Sequence, residues 1–446
     1  MPERIGAGPV FTGKGAAYSL ATVVLFVSAG IWATSGSYGI EATRWMLIHT
    51  VDDFSSAGKV ADFVANLRIP IPIVLSLLEI TSYRLFGSTY IVTHLLYRFA
   101  LVFSYVLVIC FFAKSRNRVM VSAFISFLFL WATVLIHPGS PQMYDVLFPF
   151  FNLLFVVSLA HVGTDVGTPR ARARVVLLCL LAGFSLSMFE LLRPFVFLLL
   201  PFPVLCAFQA LRGVPARYFA CFLLPLVLIS GSWHAYIAVR HGQATWSNHT
   251  GFNLIRAWPM VELPPLVPES NDLPVVPGRE PNLNTKEHAE NSRILQASIL
   301  EFIVTHPRES AENIAYRMYQ FLKVPTQLHF CDPPYPEIQL YRILVWLGFL
   351  SIVLNLLQLG AVVVESRSLE SLGEPVNILS CSTFLYVVLM AIGESGEEPR
   401  FLISVLPMIA AVLAGFDTGR AGSWFGRVTG CIRQGWRTNA RGQEDS

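Results

Sequence analysis

Apolar residues run in long blocks along this chain, and block after block reaches the length that a bilayer demands. A hydrocarbon core is crossed by roughly 20 predominantly apolar helical residues. Measured against that length, ten spans are predicted, at 17–36, 89–113, 119–136, 145–162, 175–190, 194–211, 218–239, 342–364, 376–393 and 401–417. The fold class expected is therefore an all-α polytopic membrane protein, a single transmembrane domain over 1–446.

Two intervals between spans are too long to be simple connectors, 37–88 and 240–341. In the first, Ala57, Val60, Ala61, Val64 and Leu67 recur at helical spacing while Asp62 and Asn66 fall on other faces, which predicts a short amphipathic helix at the interface. A second apolar segment, Ile73 to Phe86, starts after Pro70 and Pro72 and stops at Gly87, the start and stop chemistry of a helix shorter than a full span. The other interval holds seven prolines between Pro259 and Pro281, which excludes a regular element there. Asn284 and Glu287 then make a capping-box-like start to a helix with Leu295, Ile299, Phe302 and Ile303 along one face. Pro307 opens a further amphipathic stretch carrying Ile314, Met318, Phe321 and Leu322, and the two helices together predict a lid over an outward-facing cavity. No internal repeat or heptad array is present.

Composition agrees with the pattern. A chain of 446 residues that is 54% hydrophobic and only 14% charged, with 33 Phe, has too little polar surface for a soluble globule. Charge then orients it. Arginine and lysine in short loops mark the cytoplasmic side, and one orientation satisfies all ten spans. It puts Arg4, Lys14, the Lys114 to Arg118 cluster, Arg170 to Arg174, Arg212 to Arg217, Arg367 and the basic tail 418–446 inside. Both termini are then cytoplasmic and the chain is integral to a plasma or inner membrane. The first apolar stretch lacks a small-residue cleavage site and reads as a retained anchor. Basic clusters of this kind attract anionic lipid, and without an aromatic-interleaved basic patch the net charge of +3 gives no reason to invoke nucleic acid. Seven cysteines, most of them inside spans, form neither a disulfide framework nor a CxxC metal site.

In this orientation acidic residues gather on the outer side. Asp52 and Asp53 precede the first amphipathic helix, and Asp145 stands at the start of the fourth span. Glu190 and Arg193 flank the turn after the fifth, and Glu394, Glu397, Glu398 and Arg400 occupy the last outer turn. Such an arrangement suits sugar transfer from a lipid phosphate: a carboxylate takes the proton of an attacking hydroxyl while guanidinium groups bind the departing phosphate. Plainer roles are open for each residue. Asp53 and Asp145 are also good N-caps, Glu190 and Arg193 are spaced for a structural ion pair, and Glu398 suits a solvated turn. Carboxylates beside a phosphate suit magnesium or manganese, but no pattern demands either, so no cofactor is assigned.

The stretch VDDFSSAGKVADF resembles the first outer-loop motif of the GT-C superfamily of polyprenyl-phosphate-sugar glycosyltransferases. The likeness continues through IPIPIVLSLLEITSYRLFGSTYIVTHLLYRF, PQMYDVLFPFFNLL and EEPRFLISVLPMIAAVLAG, and is closest to the protein mannosyltransferase and aminoarabinose transferase branch. The chain departs from the usual pattern in having Asp145 where Glu is common, Ser55-Ser56 in place of an aromatic, and Phe401 where Tyr is frequent. The resemblance implies that Asp52 or Asp53 is the catalytic base, that Asp145 is the second acid of the site, and that Arg400 meets the donor phosphate. Arg193, Glu190 and Glu398 would complete substrate binding. It further implies a polyprenyl-phosphate-linked hexose or pentose as donor, a lipid, glycan or protein hydroxyl as acceptor, and single displacement with inversion. The competing expectation is a transporter or lipid flippase without catalysis, which would carry ionisable groups near the bilayer midplane.

Overall fold

The computed structural model describes residue 85 and residues 91–113, 116–136, 146–162, 168–192, 200–241, 250–268, 286–323, 336–393 and 398–415. Among these the regular structure is entirely helical. In chain order α1 spans Ile91–Leu107 and runs into a π-helical turn, Val108–Phe112; α2 spans Arg116–Ile136, α3 Leu147–Ala160, α4 Pro169–Leu192 and α5 Pro201–Ala210. Helix α6, Ala216–Pro225, passes through a second π-helical turn, Leu226–Gly231, into α7, Ser232–His241. Then come α8 (Thr250–Ala257), α9 (Lys286–Thr305), α10 (Pro307–Lys323), α11 (Pro336–Ser366), α12 (Pro375–Gly393) and α13 (Glu398–Gly415). Helices α4, α5, α10, α11 and α12 open on proline. Proline's fixed φ and missing N–H suit the first helical position, where the N–H has no intrahelical partner anyway.

Described helices fall in nine of the ten apolar blocks, although of block 194–211 only residues 200–211 are described, and the block 17–36 lies outside the described residues. Among the described residues four stretches are long and apolar enough to cross a membrane: Pro169–Leu192, Ala216–Tyr236, Gln339–Ser366 and Pro375–Gly393. Others are shorter: α3 has 14 residues, and α5, with ten, reaches about 15 Å at 1.5 Å per residue. The predicted helices at 57–67 and 73–86 lie outside the described residues, apart from Leu85.

Helix α13 is the hub. It packs against α2, α3, α11 and α12, and Val405, Leu406, Met408, Ile409, Ala410, Ala411 and Val412 are all buried. Lipid tails are as apolar as leucine, so helices in a bilayer are held by close approach and by polar links rather than by escape from water. Both devices are present. A Cβ at Gly348 would come within 2.1 Å of the Ile409 side chain, which shows how closely α11 and α13 approach. The Asn152 amide donates to Ser382 Oγ at 3.1 Å and meets Met408 Sδ at 2.6 Å, tying α3 to α12 and α13. Asn355 Nδ2 reaches both Asn377 Oδ1 at 2.8 Å and Ser380 Oγ at 3.0 Å, joining α11 to α12. Outward, α2 exposes Met120, Val121, Phe124 and Phe127, and α11 exposes Ile343, Trp346, Leu347, Leu350 and Leu357. An apolar exterior of that extent belongs against lipid rather than water, and the chain is an integral membrane protein.

The two ends of α12 distinguish the faces of the bundle. Its 19 residues span about 28 Å. A tight turn, Glu370–Gly373, precedes its first residue and rests on α5. At the opposite end the segments 250–268 and 286–323 dock: Trp258 is fully buried and its indole N–H donates to the carbonyl of Ile392 at 2.8 Å. Helices α8 and α10 pack on α12, and α10 also touches α13.

Candidate functional site

Glu190 is the last charged residue of α4, two positions before the helix ends, and its side chain is completely buried. Burying a carboxyl group is costly unless its oxygens find hydrogen-bond donors. Both do. The Ser230 hydroxyl donates to Oε2 at 2.5 Å, and Nε2 of His234 lies 2.8 Å from Oε1. Glu190 thus bridges a serine and a histidine, an order different from a nucleophilic triad, in which histidine stands in the middle. The His234 ring keeps 17% of its side-chain surface exposed against 0% for Glu190, so the imidazole is the accessible edge of the pair.

Local sequence explains how Ser230 and His234 come to share a face. Pro225 lacks the N–H that a continuing helix needs and its ring crowds the preceding turn, and the next six residues widen into a π-helical turn. Ser230 and His234 stand four positions apart on either side of its end, on the face turned to α4. Interruptions of this kind recur where a helix must aim side chains at a site. Spacing between α4 and α6 is set by Gly183, where a Cβ would come within 2.0 Å of the Phe222 carbonyl oxygen. Leu191, Trp233, Ile229 and Tyr236 form an apolar collar on the same helices, with the Trp233 and Tyr236 rings 5.5 Å apart.

An aromatic stack carries this region to the middle of the bundle. The Phe148 ring lies 4.1 Å from Phe189 and 4.4 Å from Tyr386. The start of α3, the end of α4 and the Ile392 half of α12 are therefore joined. Over the same end of α12 sits the helical cap built from 250–268 and 286–323. Within it the last carbonyls of α8, orphaned as at any helix end, are taken up by neighbours: Asn313 and Arg317 both donate to the Ala257 carbonyl at 3.1 Å. Asn291 holds the proline-rich run in place by pairing with both the N–H and the carbonyl of Val267, at 2.7 and 2.9 Å.

Of the residues singled out from sequence, Glu190 is described in full, and Glu398 and Arg400 stand in the first turn of α13. That turn follows the end of α12 by a few residues, on the side where the cap docks. Asp52, Asp53, Asp145 and Arg193 lie outside the described residues. Ser230 and His234 escaped the sequence reading. Their one trace is a serine and histidine four positions apart within an apolar block just after a proline, a pattern too common to point anywhere without α4 beside it. Among the described residues no group of three or more His, Cys, Asp or Glu side chains is placed to hold a metal ion.

Comparison with known proteins returns nothing to set beside this site: no family model, no curated protein and no solved structure matches the chain.

Proposed function

We propose that the chain is a membrane glycosyltransferase that moves a sugar from a polyprenyl-phosphate donor to an acceptor hydroxyl at the extracytoplasmic face. The observation that carries this reading is the docking of the cap at the Ile392 end of α12, beside the turn where α13 opens with Glu398 and Arg400 and on the half of the bundle to which the Phe148 stack brings Glu190. The capped end of apolar helices is where a substrate with a lipid tail and a polar head would sit. In the full proposal ten spans cross a plasma or inner membrane with both termini cytoplasmic, and 37–88 and 240–341 lie outside.

Asp52 or Asp53 takes the proton of the acceptor hydroxyl. The new bond forms between that oxygen and the anomeric carbon as the carbon–oxygen bond to phosphate breaks, and the polyprenyl phosphate leaves with the electron pair. Asp145 supplies the second carboxylate, and Arg400 with Arg193 binds the phosphate as negative charge grows on it. Glu398 contributes a polar contact to the bound sugar-phosphate, whereas Glu190, fully buried with its oxygens held by Ser230 and His234, braces the helices from behind instead of touching the substrate as the sequence reading expects. Magnesium or manganese would suit the phosphate but is not required by this scheme.

The test is transfer by the purified chain in liposomes with a panel of polyprenyl-phosphate sugars, set beside Asp52→Asn, Asp53→Asn and Asp145→Asn. Loss of about 100-fold or more in at least one variant is expected for a general base; unchanged turnover in all three removes the scheme. The buried Glu190–His234 pair favours a second reading, since ionisable side chains inside a span commonly mark a transport pathway. Flux of a polar solute or lipid across the liposome membrane without sugar transfer would select it.

A further inference from the structure

The opposite end of α12 holds a second, unassigned site. We infer that the cleft between the end of α5 and the turn after α11 binds the phosphate headgroup of an anionic phospholipid in the leaflet on that side. The cleft has a volume of about 620 Å³ and is lined by Phe208, Arg212, Arg367, Leu369 and Glu370 among others. It is held open by backbone geometry rather than by chance side-chain positions. Gly213 turns the chain after α5 with φ of 88°, and Arg367 turns it after α11 with φ of 49°, a left-handed conformation that a non-glycine residue adopts only under constraint. Gly373 lets the two turns close on each other: a Cβ there would lie 3.2 Å from the Ala210 backbone nitrogen. Across the mouth, the Arg212 guanidinium donates to Glu370 Oε1 at 2.6 Å.

Charge and apolarity together identify the ligand. Two guanidinium groups against one carboxylate leave a positive charge at the cleft, and guanidinium binds phosphate oxygens in pairs. Beside them Phe208, in the last turn of α5, is 54% exposed, and Leu369, in the turn after α11, is 41% exposed. A soluble anion has no use for that apolar wall, whereas a phospholipid places its phosphate against arginine and the root of its acyl chains against Phe208 and Leu369. The sequence orientation puts these arginines on the cytoplasmic side, where anionic lipid concentrates. Glu370 competes with the lipid for Arg212, which gives the proposal a signed consequence.

Binding is measured by native mass spectrometry of the full chain, titrated with phosphatidylglycerol and with phosphatidylcholine as the zwitterionic control. Phosphatidylglycerol is expected to bind at least about ten-fold tighter than phosphatidylcholine, a difference on the order of 1.4 kcal/mol. The double variant Arg212→Gln, Arg367→Gln is expected to lose that preference, and Glu370→Gln, which leaves both arginines in place, to strengthen phosphatidylglycerol binding several-fold. A preference that survives the double variant overturns the proposal, as does Glu370→Gln binding no more tightly than the natural chain. Inorganic phosphate at millimolar concentration is expected not to displace the lipid; full displacement would make this a site for a soluble anion and overturn the lipid assignment.

Discussion

Glu190 Oε1 and His234 Nε2 lie 2.8 Å apart although 44 positions separate the two residues in the chain. The contact depends on three features acting together: the close approach of α4 and α6 at Gly183, the widened turn after Pro225, and the hydroxyl of Ser230 on the second carboxyl oxygen. Remove one partner and the other is left as a buried polar group without its match.

His234→Ala is therefore expected to destabilise the bundle by about 1–3 kcal/mol, the range for leaving one oxygen of a buried carboxyl group without its hydrogen-bond partner. Ser230→Ala, which removes one neutral donor, should cost about 1–3 kcal/mol. Thermal unfolding in detergent, followed by tryptophan fluorescence, reads both. Equal and negligible shifts would show that the pair is not formed.

Two glycines make a matched test of helix packing. Gly183→Ala places a methyl group against the Phe222 carbonyl oxygen, and overpacking of this kind costs about 1–3 kcal/mol. Gly360→Ala, on α11 with nothing within 4 Å of the new methyl group, should instead stabilise by roughly 0.5–1 kcal/mol, because alanine loses less freedom in a helix. Opposite signs in one unfolding assay are the expected result.

Trp258 anchors the cap through one indole N–H to the Ile392 carbonyl. Trp258→Phe keeps an aromatic ring but orphans that carbonyl, at a cost of about 0.5–1.5 kcal/mol. Limited proteolysis within 250–323 should accelerate while the spans stay resistant. Cleavage at the natural rate would mean that the cap is held by other contacts.

The cap also carries a small pH dependence. Arg293 donates to Glu290 from the neighbouring turn of α9, and that hydrogen bond, reinforced by its charge, holds the Glu290 carboxyl below its ordinary range. A lowered folded value stabilises α9 above the unfolded glutamate value, and this contribution disappears as pH falls through the lowered value. Both side chains face solvent, so screening keeps the effect small. Arg293→Gln should return the Glu290 titration, followed by carbon NMR of the carboxyl group, to the ordinary glutamate range. A titration that does not move rules the interaction out.

What could be read along the chain was whatever depends on near neighbours. Spacing alone puts Leu295, Ile299, Phe302 and Ile303 on one apolar face of a helix, and in α9 the first two are buried and the last two partly so. Pro307 was assigned as a helix start and opens α10. The apolar blocks appear as helices because length, apolarity and the proline at the first turn are local properties. The same reading passed over α8, eight residues just before the proline-rich run, because its stability comes from neighbours far along the chain: Asn313 and Arg317 cap its end, and Gly251 lies against Ser292. It also treated 218–239 as one uniform span, where a π-helical turn after Pro225 re-aims the second half.

By itself, then, the sequence determined a helical membrane chain and the helix start at Pro307, since hydrophobic length and backbone chemistry act over a few residues. Tertiary structure alone decided that Glu190 meets Ser230 and His234, that Trp258 closes the cap onto Ile392, and that Arg212 and Glu370 meet across a cleft held by Arg367. Each of those depends on backbones brought within contact by glycines and turns, and the partner that satisfies a buried polar group is chosen by the distance between helices rather than along the chain.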